Sequence, residues 1–142
     1  MEKHAKSSNP LCEKTLNFAI RIVNLNKHLT QKKNEYVISK QVLRSGTNPG
    51  AMTREALNAE SALDFIHKLA IAQKETGETL YWLELLCKTN YITAAEYESI
   101  NADGEEIMKM IRSIILTKKK NLAFKALSII VTLAMSVNLM RS

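Results

Sequence analysis

From Ala59 to Lys88 the chain passes about thirty residues with no proline and a single glycine, Gly77. Within that stretch Ala62, Ile66, Leu69, Gln73, Thr76, Leu80, Leu83 and Cys87 recur at alternating steps of four and three. This spacing holds one face of an α-helix toward a partner helix. At about 1.5 Å per residue the rod is on the order of 45 Å long, and it cannot cover its own stripe. The rest of the chain must supply covering helices. Four glycines and two prolines in 142 residues leave little room for a turn-rich β fold. Gln73, Thr76 and Gly77 interrupt the stripe. Taken alone they are blemishes in a core stripe, a polar waist between two apolar halves.

Helical patterns flank the rod on both sides. Asn9-Pro10 reads as a helix start, a capping side chain followed by a proline whose missing N–H costs nothing there. Helix 1 then runs to about Leu29. It carries two adjoining stripes, Leu16, Ala19, Ile20 and Val23 beside Phe18, Ile22, Leu25 and Leu29. A face that wide implies more than one neighbour. Thr30 to Glu35 is a polar connection, and helix 2 is expected over about 36–57. Ser45-Gly46-Thr47-Asn48-Pro49-Gly50 crosses it as the densest group of helix breakers in the chain. The expectation is a helix bent near Pro49, or two short ones.

Asn58 or Ser61 can cap helix 3, and Asn90 marks its end. Thr93-Ala-Ala-Glu96 is a capping box that opens helix 4. That helix carries Tyr97, Ile100, Gly104, Ile107, Ile111 and Ile114 at steps of three and four. Lys118-Lys119-Lys120-Asn121 is expected to end it, with charge that suits a C-terminal dipole. The fold expected for residues 1–121 is all-α, an antiparallel up-down four-helix bundle with helix 2 kinked near Pro49. Residues 1–8 are a polar lead-in, with no apolar core that would make a secretory signal.

Residues 122–142 form an apolar extension, helix or tail. From Leu122 to Met140 the single charge is Lys125. Length alone makes the segment a transmembrane candidate. Lys125, Ser128, Thr132 and Ser136 nevertheless share one side, which favours an additional helix docked on the bundle or on a neighbouring subunit over a membrane anchor.

No catalytic constellation emerges. Asp64-Phe-Ile-His67 is the only carboxylate-x-x-His pair, with His4 in the lead-in and His28 near a helix end. That falls short of a di-iron set, and Cys12 and Cys87 lack the partners of a zinc site. Gly46 and Gly50 are not followed by the Lys-Ser/Thr of a phosphate loop. The expectation is a non-enzyme without metal or cofactor. The two cysteines fall on apolar faces, as reduced residues of a cytoplasmic protein. The net charge is +6, from 20 Lys and Arg against 14 Asp and Glu, and makes anionic partners possible. Lys32, Lys33, Lys40, Arg44, Arg54, Lys118, Lys119 and Lys120 are the candidate nucleic-acid contacts, for RNA or DNA.

The run Gln41-Val-Leu-Arg44-Ser45-Gly-Thr-Asn48 is followed by Arg54-Glu55-Ala56 and by Ser61-Ala-Leu-Asp-Phe-Ile-His-Lys68. Then comes Glu75-Thr-Gly-Glu78-Thr-Leu-Tyr81-Trp82-Leu83-Glu84-Leu85-Leu86. In these segments the chain resembles the bacterial four-helix-bundle proteins encoded by intervening sequences within 23S ribosomal RNA genes. The resemblance spans about residues 11–120. It implies an antiparallel bundle assembled as a homopentamer around a central channel, with no enzymatic activity. Beside it the waist at Gln73, Thr76 and Gly77 is expected to face a neighbouring copy or a wet channel. A similar protein, the accessory variability determinant of diversity-generating retroelements, is a basic pentamer that binds a reverse transcriptase and nucleic acid. By this resemblance the partners are further copies of the chain, RNA or DNA, and a protein such as a reverse transcriptase. The alternative is a protein–protein interaction module without nucleic-acid binding, tethered to a membrane through residues 122–140. The resemblance does not reach the extension. It leads one to expect an Ile-Gly-Ala-Asn-like run where this chain has Asn48-Pro49-Gly50-Ala51.

Overall fold

The computed structural model describes residues 9–141, so the lead-in 1–8, His4 included, and Ser142 lie outside the described residues. Four helices follow in order: α1 (Pro10–Lys32), α2 (Ile38–Leu57), α3 (Ala62–Lys88) and α4 (Ala94–Arg141). No strand occurs among the described residues. Each helix packs on its sequence neighbours, and α1 also meets α4, which closes a ring of four. Contacts run in opposite directions along every seam. Asn26 meets Ser39 while Thr15 lies beside Gly50 on α1 and α2, and Leu80 meets Gly104 while Phe65 meets Lys118 on α3 and α4. The arrangement is the expected antiparallel up-down bundle.

Local chemistry sets the helix ends. Asn9 Oδ1 accepts from the amides of Leu11 and Cys12 at 3.0 and 3.2 Å. Ser61, rather than Asn58, caps α3, with its Oγ accepting from the Asp64 amide at 3.0 Å. Thr93 and Glu96 satisfy each other's amides at 2.7 and 3.2 Å, the expected capping box. Asn90 closes α3 with φ 64°, and the Asn90 and Tyr91 amides return to Cys87 O and Leu86 O. This is a Schellman closure with asparagine in place of glycine. The cap of α2 escapes sequence reading. Glu35, only 7% exposed, accepts from the amides of Val37, Ile38 and Ser39. Burial alone would raise its pKa, but the three amides hold it below the ordinary 4.5.

The fully buried side chains include Phe18, Ile22 and Leu29 of α1, Val42 of α2, Leu69, Leu83 and Leu86 of α3, and Ile107 and Ile111 of α4. On α3 the buried line is Leu69, Ala72, Thr76, Thr79, Leu83 and Leu86. It shares Leu69, Thr76 and Leu83 with the expected stripe but is turned toward α2. The polar waist is corrected by this. Thr76 is fully buried, and its hydroxyl donates to Ala72 O at 2.8 Å instead of facing a channel. Gly77 does have open space around it.

Two further expectations give way. Helix 2 does not divide into two short helices, for α2 runs unbroken through Pro49. The pyrrolidine ring is buried on a stripe of Ser45, Gly46, Gly50 and Thr53, and that burial offsets a penalty of about 3 kcal/mol for an interior proline. The basic run also fails to end helix 4. Lysines suit a C-terminus without imposing one, and the next residues are good helix formers, so α4 continues for 48 residues to Arg141. There is no separate fifth helix and no docking on the bundle: residues 123–141 are exposed throughout.

At Gly46 α2 packs directly on the Ile22 side chain of α1. A Cβ there would stand 2.7 Å from Ile22 Cγ1 and 2.9 Å from Cγ2, the branch atoms of a stiff, fully buried side chain. Gly46→Ala should therefore lower stability by about 1–3 kcal/mol despite the better helix propensity of alanine. Gly77→Ala, with nothing nearby, should raise it by up to about 1 kcal/mol. Chemical denaturation of the two variants checks the contrast.

Because the Glu35 pKa is depressed in the folded state, its contribution is complete above the ordinary value of 4.5 and is lost as pH falls through the folded value. Glu35→Ala should cost about 1–2 kcal/mol at neutral pH. It should also flatten the acid limb of a stability–pH curve measured beside the wild-type chain.

Candidate nucleic-acid interface

The candidate basic residues do not form one patch. Lys32 and Lys33 stand exposed where α1 ends, and Lys40 is exposed in the first turn of α2, so these three share the end of the bundle formed by connections 33–37 and 89–93. Arg54 and Lys118 lie toward the opposite end, around connection 58–61. Arg54 Nη1 donates to Gly50 O at 3.1 Å. Lys118 Nζ sits over the Phe65 ring, 5.1 Å from its centre, while Lys119 and Lys120 are exposed.

Arg44 is in a different situation. Its guanidinium donates to Glu75 Oε2 at 3.2 Å and to Glu78 Oε1. Trp82 Nε1 donates to the same Glu78 oxygen at 3.2 Å. The Trp82 hydrogen bond leads, and Arg44 adds to it, in holding the Glu78 carboxyl below its ordinary range against the opposing effect of burial. Tyr81 stands edge-on to Trp82, with ring centres 4.9 Å apart. Next to this clamp, buried Thr79 Oγ1 lies 2.9 Å from Ser45 Oγ. Arg44, Ser45, Glu75, Glu78 and Trp82 all belong to the segments that carry the sequence resemblance. Together they join α2 to α3.

The α1–α4 side is held by charge. Lys14 pairs with Asp103 at 3.1 Å and with Glu106, and Arg21 pairs with Asp103 while reaching Ser99 O and Oγ. Burial would raise the Asp103 pKa, but Arg21 and Lys14 together hold it below its usual value. Above these pairs, toward the Lys33 end, the helices part into a groove of about 550 Å³ lined by Arg21, Leu25, His28, Ile92, Glu96 and Ile100. Sequence reading missed the groove because its walls come from helices far apart in the chain. No group of three or more His, Cys, Asp or Glu side chains fit to hold a metal occurs among the described residues.

An unbroken ring of four antiparallel helices, with an arginine clamped between two glutamates on one seam and basic groups at both ends, defines the class: a small all-α bundle of basic character. The 23S rRNA-intervening sequence protein family matches residues 8–113, and the chain belongs to that family. A crystal structure of a protein with unknown function from the S23 ribosomal protein family of Bacteroides thetaiotaomicron VPI-5482 is similar to it, at 58% sequence identity and a TM-score of 0.74. The similarity covers 74% of this chain and 97% of that one. No match was found among curated proteins.

If Arg44 is a clamp, Arg44→Ala should lower the thermal midpoint and leave retention on immobilised RNA unchanged. Loss of retention at full stability would return Arg44 to the interface. Thermal melts and binding isotherms of the same preparation decide between the two.

Proposed function

We propose that this protein is a non-enzymatic, homo-oligomeric scaffold or adaptor of the cytoplasm that holds RNA or DNA through its basic ends. The observation that carries the oligomer is on α1. Of its two stripes, Phe18, Ile22 and Leu29 are fully buried, whereas Leu16, Ile20 and Val23 remain 46%, 52% and 36% exposed. These three follow one another at helical spacing on one face, where a second copy would bury them. The family resemblance favours five copies. Assembly repeats Lys32, Lys33 and Lys40 around an axis, and repetition multiplies a weak phosphate affinity. With Arg44 engaged by Glu75 and Glu78, those three lysines and Arg54, Lys118, Lys119 and Lys120 are the cations left to do so. The division of these cations between two ends, and the engagement of Arg44 in the clamp, favour a second reading: a protein–protein interaction module whose partner is a protein such as a reverse transcriptase.

Native mass measurement should find a multimer for the wild-type chain and a monomer for Ile20→Glu. A wild-type monomer at micromolar concentration would remove the assembly. Electrophoretic shift with structured RNA or duplex DNA should be strongest at low salt. Replacing Lys32, Lys33 and Lys40 together by alanine should reduce the log–log salt slope on a duplex by about 0.9 for each phosphate that the variant no longer neutralises. No shift at low salt would leave the protein-interaction reading.

A further inference from the structure

We infer that the outer half of α4, residues 122–140, is a single membrane-spanning helix that anchors the bundle to a lipid bilayer. This goes beyond the proposed scaffold and does not depend on it. It gives Lys118, Lys119 and Lys120 to lipid headgroups, leaving Lys32, Lys33, Lys40 and Arg54 as the cations for nucleic acid. The α4 helix contains a stretch long and apolar enough to cross a membrane, and none of that stretch is buried. A core helix of a soluble protein passes the same test of length and composition only by being buried, so that explanation fails here. A leader sequence fails too, because this segment continues without a break from a helix whose Ile100, Ile107 and Ile111 are inside the bundle.

The dimensions fit a bilayer. Leu122 to Met140 spans about 28 Å of helix, against a hydrocarbon core of about 30 Å. Apolar residues surround most of the circumference. Phe124, Leu127, Ile130, Val131 and Leu133 point in different directions around the axis and are 74%, 60%, 62%, 50% and 61% exposed. A helix apolar over most of its surface needs an apolar medium on most sides. A helix lying flat on a membrane would need a strongly charged face, and Lys125 is the single charge from 122 to 140. A stalk made with other copies in water would cover one stripe and leave the outward apolar residues wet.

Charge is placed at the ends. Lys118, Lys119 and Lys120 precede the span and suit anionic headgroups, and Arg141 follows it. Lys125, little more than a turn inside, can extend its amine back toward that collar. Two hydroxyls of the polar edge, which also holds Ser128 and lies near Asn138, are compatible with hydrocarbon. Thr132 Oγ1 donates to Ser128 O at 2.9 Å and Ser136 Oγ to Thr132 O at 3.0 Å, so both hydroxyl protons are satisfied within the helix. The lysine collar keeps the bundle on the cytoplasmic side.

The test is flotation of the full chain with vesicles of phosphatidylcholine and a minority of phosphatidylglycerol, followed by high-salt and alkaline-carbonate washes. The wild-type chain should float and resist both washes. The double substitution Ile130→Lys, Leu133→Lys, which touches no bundle residue, should reduce the floated fraction at least tenfold with the bundle's helical circular dichroism retained. Ile130→Val should float as the wild type does. Three results would overturn the assignment: release by either wash, flotation equal to that of the double-lysine variant, or a wild-type chain that sediments with or without vesicles. Release by salt would assign the attachment to the lysine collar. A soluble multimer that ignores vesicles would assign the segment to a second copy, and sedimentation would mark simple aggregation.

Discussion

Close approach of α2 to its neighbours is the constraint on which the bundle depends. Its inner face is built of Ser45, Gly46, Pro49, Gly50 and Thr53, residues too small to bridge an ordinary interhelical distance. Contact is made by bringing the backbones together, with Gly46 against Ile22 and Gly50 beside Thr15. Such a seam fills with hydroxyls, and each must be satisfied where it stands. Thr15, Ser45, Thr53, Thr76 and Thr79 all donate to a carbonyl one turn back on their own helix. No buried side-chain polar atom among the described residues lacks a partner. The clamp of Arg44 on Glu75 and Glu78 lies at the edge of the α2–α3 seam, beside the buried Ser45 and Thr79.

The opposite seam follows other physics. Between α1 and α4 the pairs of Lys14 and Arg21 with Asp103 and Glu106 flank the buried contact of Phe18 with Gly104, and the groove beside them opens to solvent. Partly exposed pairs of this kind, like the more exposed clamp of Arg44, add little stability and weaken with salt. One side of the ring is thus lined by small residues in close contact, and the other carries ion pairs beside an open groove. The exposed Leu16, Ile20 and Val23 of α1 stand on the helix that joins these two sides.

Much of the fold is legible in the sequence because its signals are local. The caps at Asn9, Ser61 and Thr93–Glu96, and the reversal at Asn90, are each decided within a few residues of chain. The errors arise where a distant contact overrides a local rule. Pro49 breaks helices in isolation, but here its ring is buried among residues small enough to admit it. Lys118 to Lys120 look like a terminus because cations suit one, yet nothing in the following residues reverses the chain. Thr76 looks like the wet middle of a stripe, but its hydroxyl needs only the carbonyl of Ala72 to enter the core. The candidate site is less legible. Reading Arg44 as a phosphate contact requires knowing that two glutamates more than thirty positions away leave it free, and they do not. Lys32, Lys33 and Lys40 stay at one end because turn position and helix phase already put them there.

The continuity of α4 has a mechanical consequence. From Ala94 to Arg141 the helix has no proline, and its one glycine, Gly104, is held inside the bundle. The outer half therefore has no swivel. Its azimuth is locked to that of Ile107 and Ile111 by the helical pitch, about 100° for each intervening residue. It acts as a lever arm: any tilt imposed on the tip must either rock the whole bundle or bend the helix.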